Sequence, residues 1–185
     1  MSSIRFATVR DLYEAFPTAE EDVELPPSDE PSLDFLNALV SKQLWNAAVA
    51  FCAYLLPRRE AIWWGCQSIR RIQPNHSPHE AAALELAEAW VHAPEEQHRR
   101  QALDRALASD ARSPSTWMLF GVGWSGGSIV QSQHGMVPAA PQQTARAVRA
   151  GLLIALAWVP SEDKLKVAKP CMDNAIALAT GEAHS

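Results

Sequence analysis

The stretch GVGWSGGS, residues 121–128, decides the fold. Its first six residues match G-x-G-x-x-G, the turn whose glycine backbone lies against a dinucleotide pyrophosphate. Read that way, the chain is an α/β protein. The signature, however, needs a strand before it, a long helix after it and an acid about 20 residues further on. Here STWMLF (115–120) is a helical apolar run, SIVQSQHGMVPAAP (128–141) opens no long helix, and Pro141-Gln142-Gln143-Thr144 brings no acid. A phosphate-binding P-loop fails as well, because no G-K-[ST] follows. The glycines therefore close a helix, and the chain reads as all-α with no nucleotide cofactor.

Working outward, the punctuation is that of helices. Thr8 caps a short helix ending before Pro17, and Ser32 opens another through Val40. In LWNAAVAFCAYLL, Trp45, Val49, Cys52 and Leu56 recur at helical spacing. Residues 58–72 (RREAIWWGCQSIRRI) form a third strong helix. Ser77-Pro78-His79-Glu80 is a capping box with proline at the first helical position, and it starts a helix to His92. Further helices run from Glu95 to Ala108, from Ser113-Pro114 into the glycines, and from Pro141 or Gln142 to Val159. The last starts at Ser161-Glu162-Asp163, with a kink or break expected at Pro170 and a stop at Gly181. The sum is seven to nine helices in an antiparallel bundle or a short hairpin array. Residues 32–185 form the helical domain. Residues 1–31 contribute a short helix and an acidic, proline-rich linker, PTAEEDVELPPSDEP (17–31), expected to be a solvated tether. AGLLIALAWV (150–159) is apolar on every face and is expected at the centre.

Composition excludes several functions. The net charge is −5, and Arg70-Arg71 and Arg99-Arg100 are isolated pairs, so the basic stripe of a nucleic-acid binder is missing. The longest apolar run is ten residues, half a membrane span, so no membrane insertion is expected. The opening MSSIRFATVRDLYEAF has no apolar segment of a secretory signal. Cys52, Cys66 and Cys171 are odd in number and widely spaced, which suits buried, reduced thiols and a cytoplasmic setting. His76 and His79 are separated by the helix start at Pro78, and His92 and His98 by Pro94, so no metal site is expected.

Two surfaces stand out. On a wheel of residues 58–72, Ile62, Cys66 and Ile69 share the core face and Trp63 lies at its shoulder. Trp64 falls on the polar side with Glu60, Gln67, Ser68 and Arg71, so either another helix covers that side or Trp64 is an exposed anchor. Arg59 and Glu60 join this face. The second surface is the turn Trp124, Ser125, Gly126, Gly127 and Ser128. Its successive amides suit either an anion-binding nest or a tight packing turn. From Ser113 to Ala145 there is no Asp, Glu, Lys or Arg, which suggests a stretch covered by protein or by a partner. Gly123 to Gly127 also fits G-x-S-x-G with Ser125 as nucleophile and His134 as base, but the strand and helix that such an elbow needs are lacking.

Three stretches together carry a family resemblance: LPRREAIWWGC (56–66), WSGGSIV (124–130) and TARAVRAGLLIALA (144–157). The chain resembles an uncharacterised bacterial family of small helical proteins, a domain of unknown function whose genes lie near type VI secretion components. Gly65 stands where alanine is expected, a packing-scale departure. The resemblance implies an accessory or adaptor that binds another protein, such as a secretion component or an effector, and it brings no catalytic residues. Two other readings stay open. One is a small-ligand or enzymatic domain with Ser125, Ser128 and Arg59 or Arg146 at a pocket. The other is an immunity protein using an acidic face at residues 19–30.

Overall fold

The computed structural model describes residues 4–130 and 135–182, and among these it has ten helices and no strand beyond two isolated bridges. The all-α reading holds. The helices are α1 (Val9–Ala15), α2 (Thr18–Val23), α3 (Ser32–Ser41), α4 (Trp45–Leu55), α5 (Arg58–Ile72), α6 (Pro78–His92), α7 (Glu96–Leu107), α8 (Pro114–Gly123), α9 (Gln143–Ala157) and α10 (Lys164–Thr180). The caps act as their residues dictate. Thr8 Oγ1 accepts the Asp11 N–H at 3.2 Å while the Asp11 carboxylate accepts the Thr8 N–H at 2.9 Å. Ser77 and Glu80 repeat this exchange at the head of α6.

The core is built on α9, which packs on α8, α5 and α4. Met118 of α8 enters the space left by two glycines: a Cβ would lie 2.5 Å from its Sδ at Gly65 and 2.7 Å from its Cε at Gly151. This is the close approach that glycine permits at helix crossings. The three cysteines are buried and unpaired.

Three expectations are corrected. Residues 17–31 are not a solvated tether, because α2 lies within them and buries Ala19 and Val23 against α4. The Tyr54 hydroxyl donates to Asp22 at 2.5 Å, and Arg146 Nε donates to the same carboxylate at 2.8 Å. Pairing with groups from α4 and α9 thus folds an acidic segment that composition alone leaves solvated. At Pro170 the last helix runs on unbroken. The carbonyl deprived of its donor belongs to Lys166, an exposed residue, so water can replace the lost bond. Finally, the end of the 150–159 run leaves the core, with Trp158 60% exposed.

Candidate functional site

The glycine turn is organised around a buried cation. Arg99 of α7 is only 3% exposed. Its guanidinium donates to the carbonyls of Gly123 and Ser128, the latter at 3.2 Å, and to both carboxylate oxygens of Glu96 at 2.7 Å. Gly127 takes φ +60°, and a Cβ there would sit 2.8 Å from Arg99 Nη2. The turn is therefore wrapped on a guanidinium by its carbonyls, the inverse of an anion nest. The Ser125 hydroxyl donates back to the Val122 carbonyl at 2.7 Å. Ser128 Oγ donates to the Val130 carbonyl and accepts the Val137 N–H at 3.2 Å. Neither serine is poised as a nucleophile, and His134 lies outside the described residues. Trp124 stacks on Phe120, with ring centroids 4.7 Å apart.

The uncharged stretch beyond the turn is less covered than expected: Met136 is 71% exposed, and Val130 and Val137 are also open. The turn and the REAIWW helix are neighbours through Arg58, which donates to the Ser125 carbonyl at 2.9 Å and to the Pro141 carbonyl at 3.3 Å.

The outward side of α5 forms a different kind of surface. Gln67 and Arg70 reach Glu88 of α6, whereas Arg59, nearer the start of α5, donates to the Val91 carbonyl. The two helices are therefore antiparallel. On the other flank, α10 also runs against α5, with Leu178 near Arg59 and Cys171 near Arg71. Along α5 lie two adjoining depressions, with cavity volumes of about 440 and 600 Å³, the first lined by α5, α6 and α10 and the second by α5 and α10. Trp63 and Asn174 line both, so the depressions form one trench floored by α5. The half-buried Trp63 indole meets the His92 ring edge to face at 5.6 Å.

Four of the residues nominated by sequence, Arg59, Glu60, Trp63 and Arg71, line this trench. Trp64 does not. It is fully buried, and its indole N–H donates to the Cys171 carbonyl at 2.8 Å. A second helix, α10, covers the polar side of α5, and Trp64 is withdrawn as an exposed anchor. Arg146 is also absent from both surfaces, being paired with Asp22 and Glu21.

The chemistry of the trench suits binding. Burial pushes the Cys171 thiol up, against the smaller opposing pulls of Ser68 and Arg71, so it stays protonated at neutral pH. Arg70 and Glu88 neutralise each other in a bidentate pair at 2.8 and 2.9 Å. Among the described residues, no group of three or more His, Cys, Asp or Glu could hold a metal ion. None of their helices is long and apolar enough to cross a membrane.

A family model covers residues 35–179. The chain belongs to DUF6931, a family of unknown function. The trench and the glycine turn both lie within the DUF6931 stretch, whereas α1 and α2 precede it. No curated protein and no solved structure matches the chain.

Sequence reasoning missed Arg99 and Asn174. A signal existed for Arg99, because it shares a helical face with Ala102, Leu103 and Ala106, all buried. For Asn174 the only signal was a polar amide in the middle of an apolar helix, where asparagine is a poor helix former.

Proposed function

We propose that this DUF6931 chain is a non-catalytic protein-binding accessory whose contact surface is the trench along α5 beside α10. One observation carries the reading. Trp63 stands half-buried at the junction of two open depressions whose lining includes the Asn174 amide and the exposed Arg71, neither of them hydrogen-bonded or ion-paired among the described residues. A tryptophan flanked by arginines is the composition in which binding energy concentrates at protein interfaces. The resemblance of the REAIWW, WSGGS and TARAVRAGLL stretches adds a setting, type VI secretion in the bacterial cytoplasm, with a secretion component or an effector as partner. The acidic face that an immunity protein would offer is partly neutralised within the chain, where Asp22 and Glu21 pair with Arg146 and Asp29 with Arg10.

The test is a co-purification of Trp63→Ala against wild type, with Trp158→Ala as the exposed-tryptophan control. Loss of a bound protein in the first variant alone supports the reading, provided circular dichroism shows both variants folded. Equal recovery from all three proteins overturns it.

A further inference from the structure

Two polar side chains in the trench, Asn174 and Arg71, make no hydrogen bond or ion pair among the described residues. The Ser68 hydroxyl, 2% exposed at the Arg71 end, is occupied by the neighbouring Cys171 thiol and is closed to a ligand. The Asn174 carboxamide, shared by both depressions, makes none of the hydrogen bonds open to its two donors and its acceptor. Arg71 is exposed and has neither a hydrogen bond nor an ion pair.

The charges facing the trench identify what would satisfy these groups. At one end Arg59 and Glu60 are adjacent and opposite in sign. Midway, Arg70 is bound to Glu88. That leaves Arg71 as the uncompensated charge at the far end, beside Ser68. An amide such as Asn174 can accept a backbone N–H and donate to a backbone C=O of one extended chain. From residue 59 to residue 71 the helix rises about 18 Å, the length of five or six extended residues.

Building on the protein-binding reading, we infer that the trench receives an extended acidic peptide segment of the partner. Asn174 holds its backbone beside Trp63, and Arg71 receives an Asp or Glu side chain.

The experiment uses the full chain and three pools of fluorescein-labelled octapeptides in an anisotropy titration. One pool fixes two acidic residues and a second fixes two lysines, both with amidated C-termini. The third has neutral side chains and a free C-terminus. Wild type is expected to prefer the acidic pool. Arg71→Glu should shift the preference to the lysine pool, Arg71→Lys should keep it acidic, and Asn174→Ala should weaken the acidic pool by about tenfold. Circular dichroism checks that each variant is folded.

Equal binding of the acidic and lysine pools, binding of none, or an unchanged preference in Arg71→Glu would overturn the inference. Preference for the free-C-terminus pool would overturn the side-chain assignment. A partner lost on Trp63→Ala, together with indifference among the pools, would sink the acidic segment and leave protein binding standing. Acidic-pool binding with no partner lost on Trp63→Ala would do the reverse.

Discussion

The turn at residues 124–128 and the trench along α5 look alike as sequence: each places tryptophan beside serine and glycine or arginine. In the folded chain they differ in how completely their polar groups are matched. At the turn, Arg99 takes up two carbonyls and a carboxylate, Arg58 takes up a third carbonyl, and both serines bond to nearby backbone. In the trench, Asn174 and Arg71 make no hydrogen bond or ion pair among the described residues. A turn whose carbonyls and serine hydroxyls are taken up within the chain contributes to stability, and a surface with unmatched side chains is available to another molecule.

Replacing Arg99 with methionine tests the closed side of this contrast most severely. It strips the buried Gly123 and Ser128 carbonyls of their donor, and chemical denaturation should show a loss of about 3 kcal/mol. A loss under about 1 kcal/mol would mean that the turn is not built on Arg99.

The two central glycines should then separate. Gly127→Ala puts a Cβ at positive φ and against the guanidinium, for a cost of about 1–2 kcal/mol. Gly126→Ala meets nothing within 4 Å and should stay within about 0.5 kcal/mol of wild type. Equal costs would remove the distinction.

Acid sharpens the same contrast. The hydrogen bonds from Arg99 hold the Glu96 carboxyl well down, at about 2 against an ordinary 4.5. Because the native carboxyl is the stronger acid, its contribution is complete above pH 4.5 and fades as pH falls towards about 2. Urea midpoints across that window should fall more steeply for wild type than for Glu96→Gln. The difference will be small, since the Glu96 side chain is 57% exposed. The smallest effect is expected in the trench, where Asn174→Ala removes a poor helix former that makes no hydrogen bond among the described residues and should stabilise by up to about 0.5 kcal/mol. A loss of stability there would mean that the amide supports the fold.

Much of this architecture was legible in the chain. The start and end of α5 and α6 follow from Pro57, the Ser77–Glu80 box and the apolar spacing, and Gly181 closes α10 with φ +76° as its position suggests. What stayed hidden depends on distant pairing. Nothing local in PTAEEDV shows that Asp22 will meet Tyr54 and Arg146, so α2 read as a tether. Nothing in RREAIWW alone decides which tryptophan faces outward. The helical wheel set Trp64 on the polar side, and α10, more than 100 residues away in sequence, then covered it.

One consequence concerns residues 4–32. The Ser32 N–H donates to the Ala7 carbonyl and the Val9 N–H to that of Glu30, so the two ends of this lobe meet, while Leu12, Phe16, Ala19 and Val23 anchor it in the interior. A protease that nicks the chain between Glu24 and Glu30 would cut the covalent link without freeing the fragment. Such material should run as two bands on a denaturing gel and elute as one species from a sizing column.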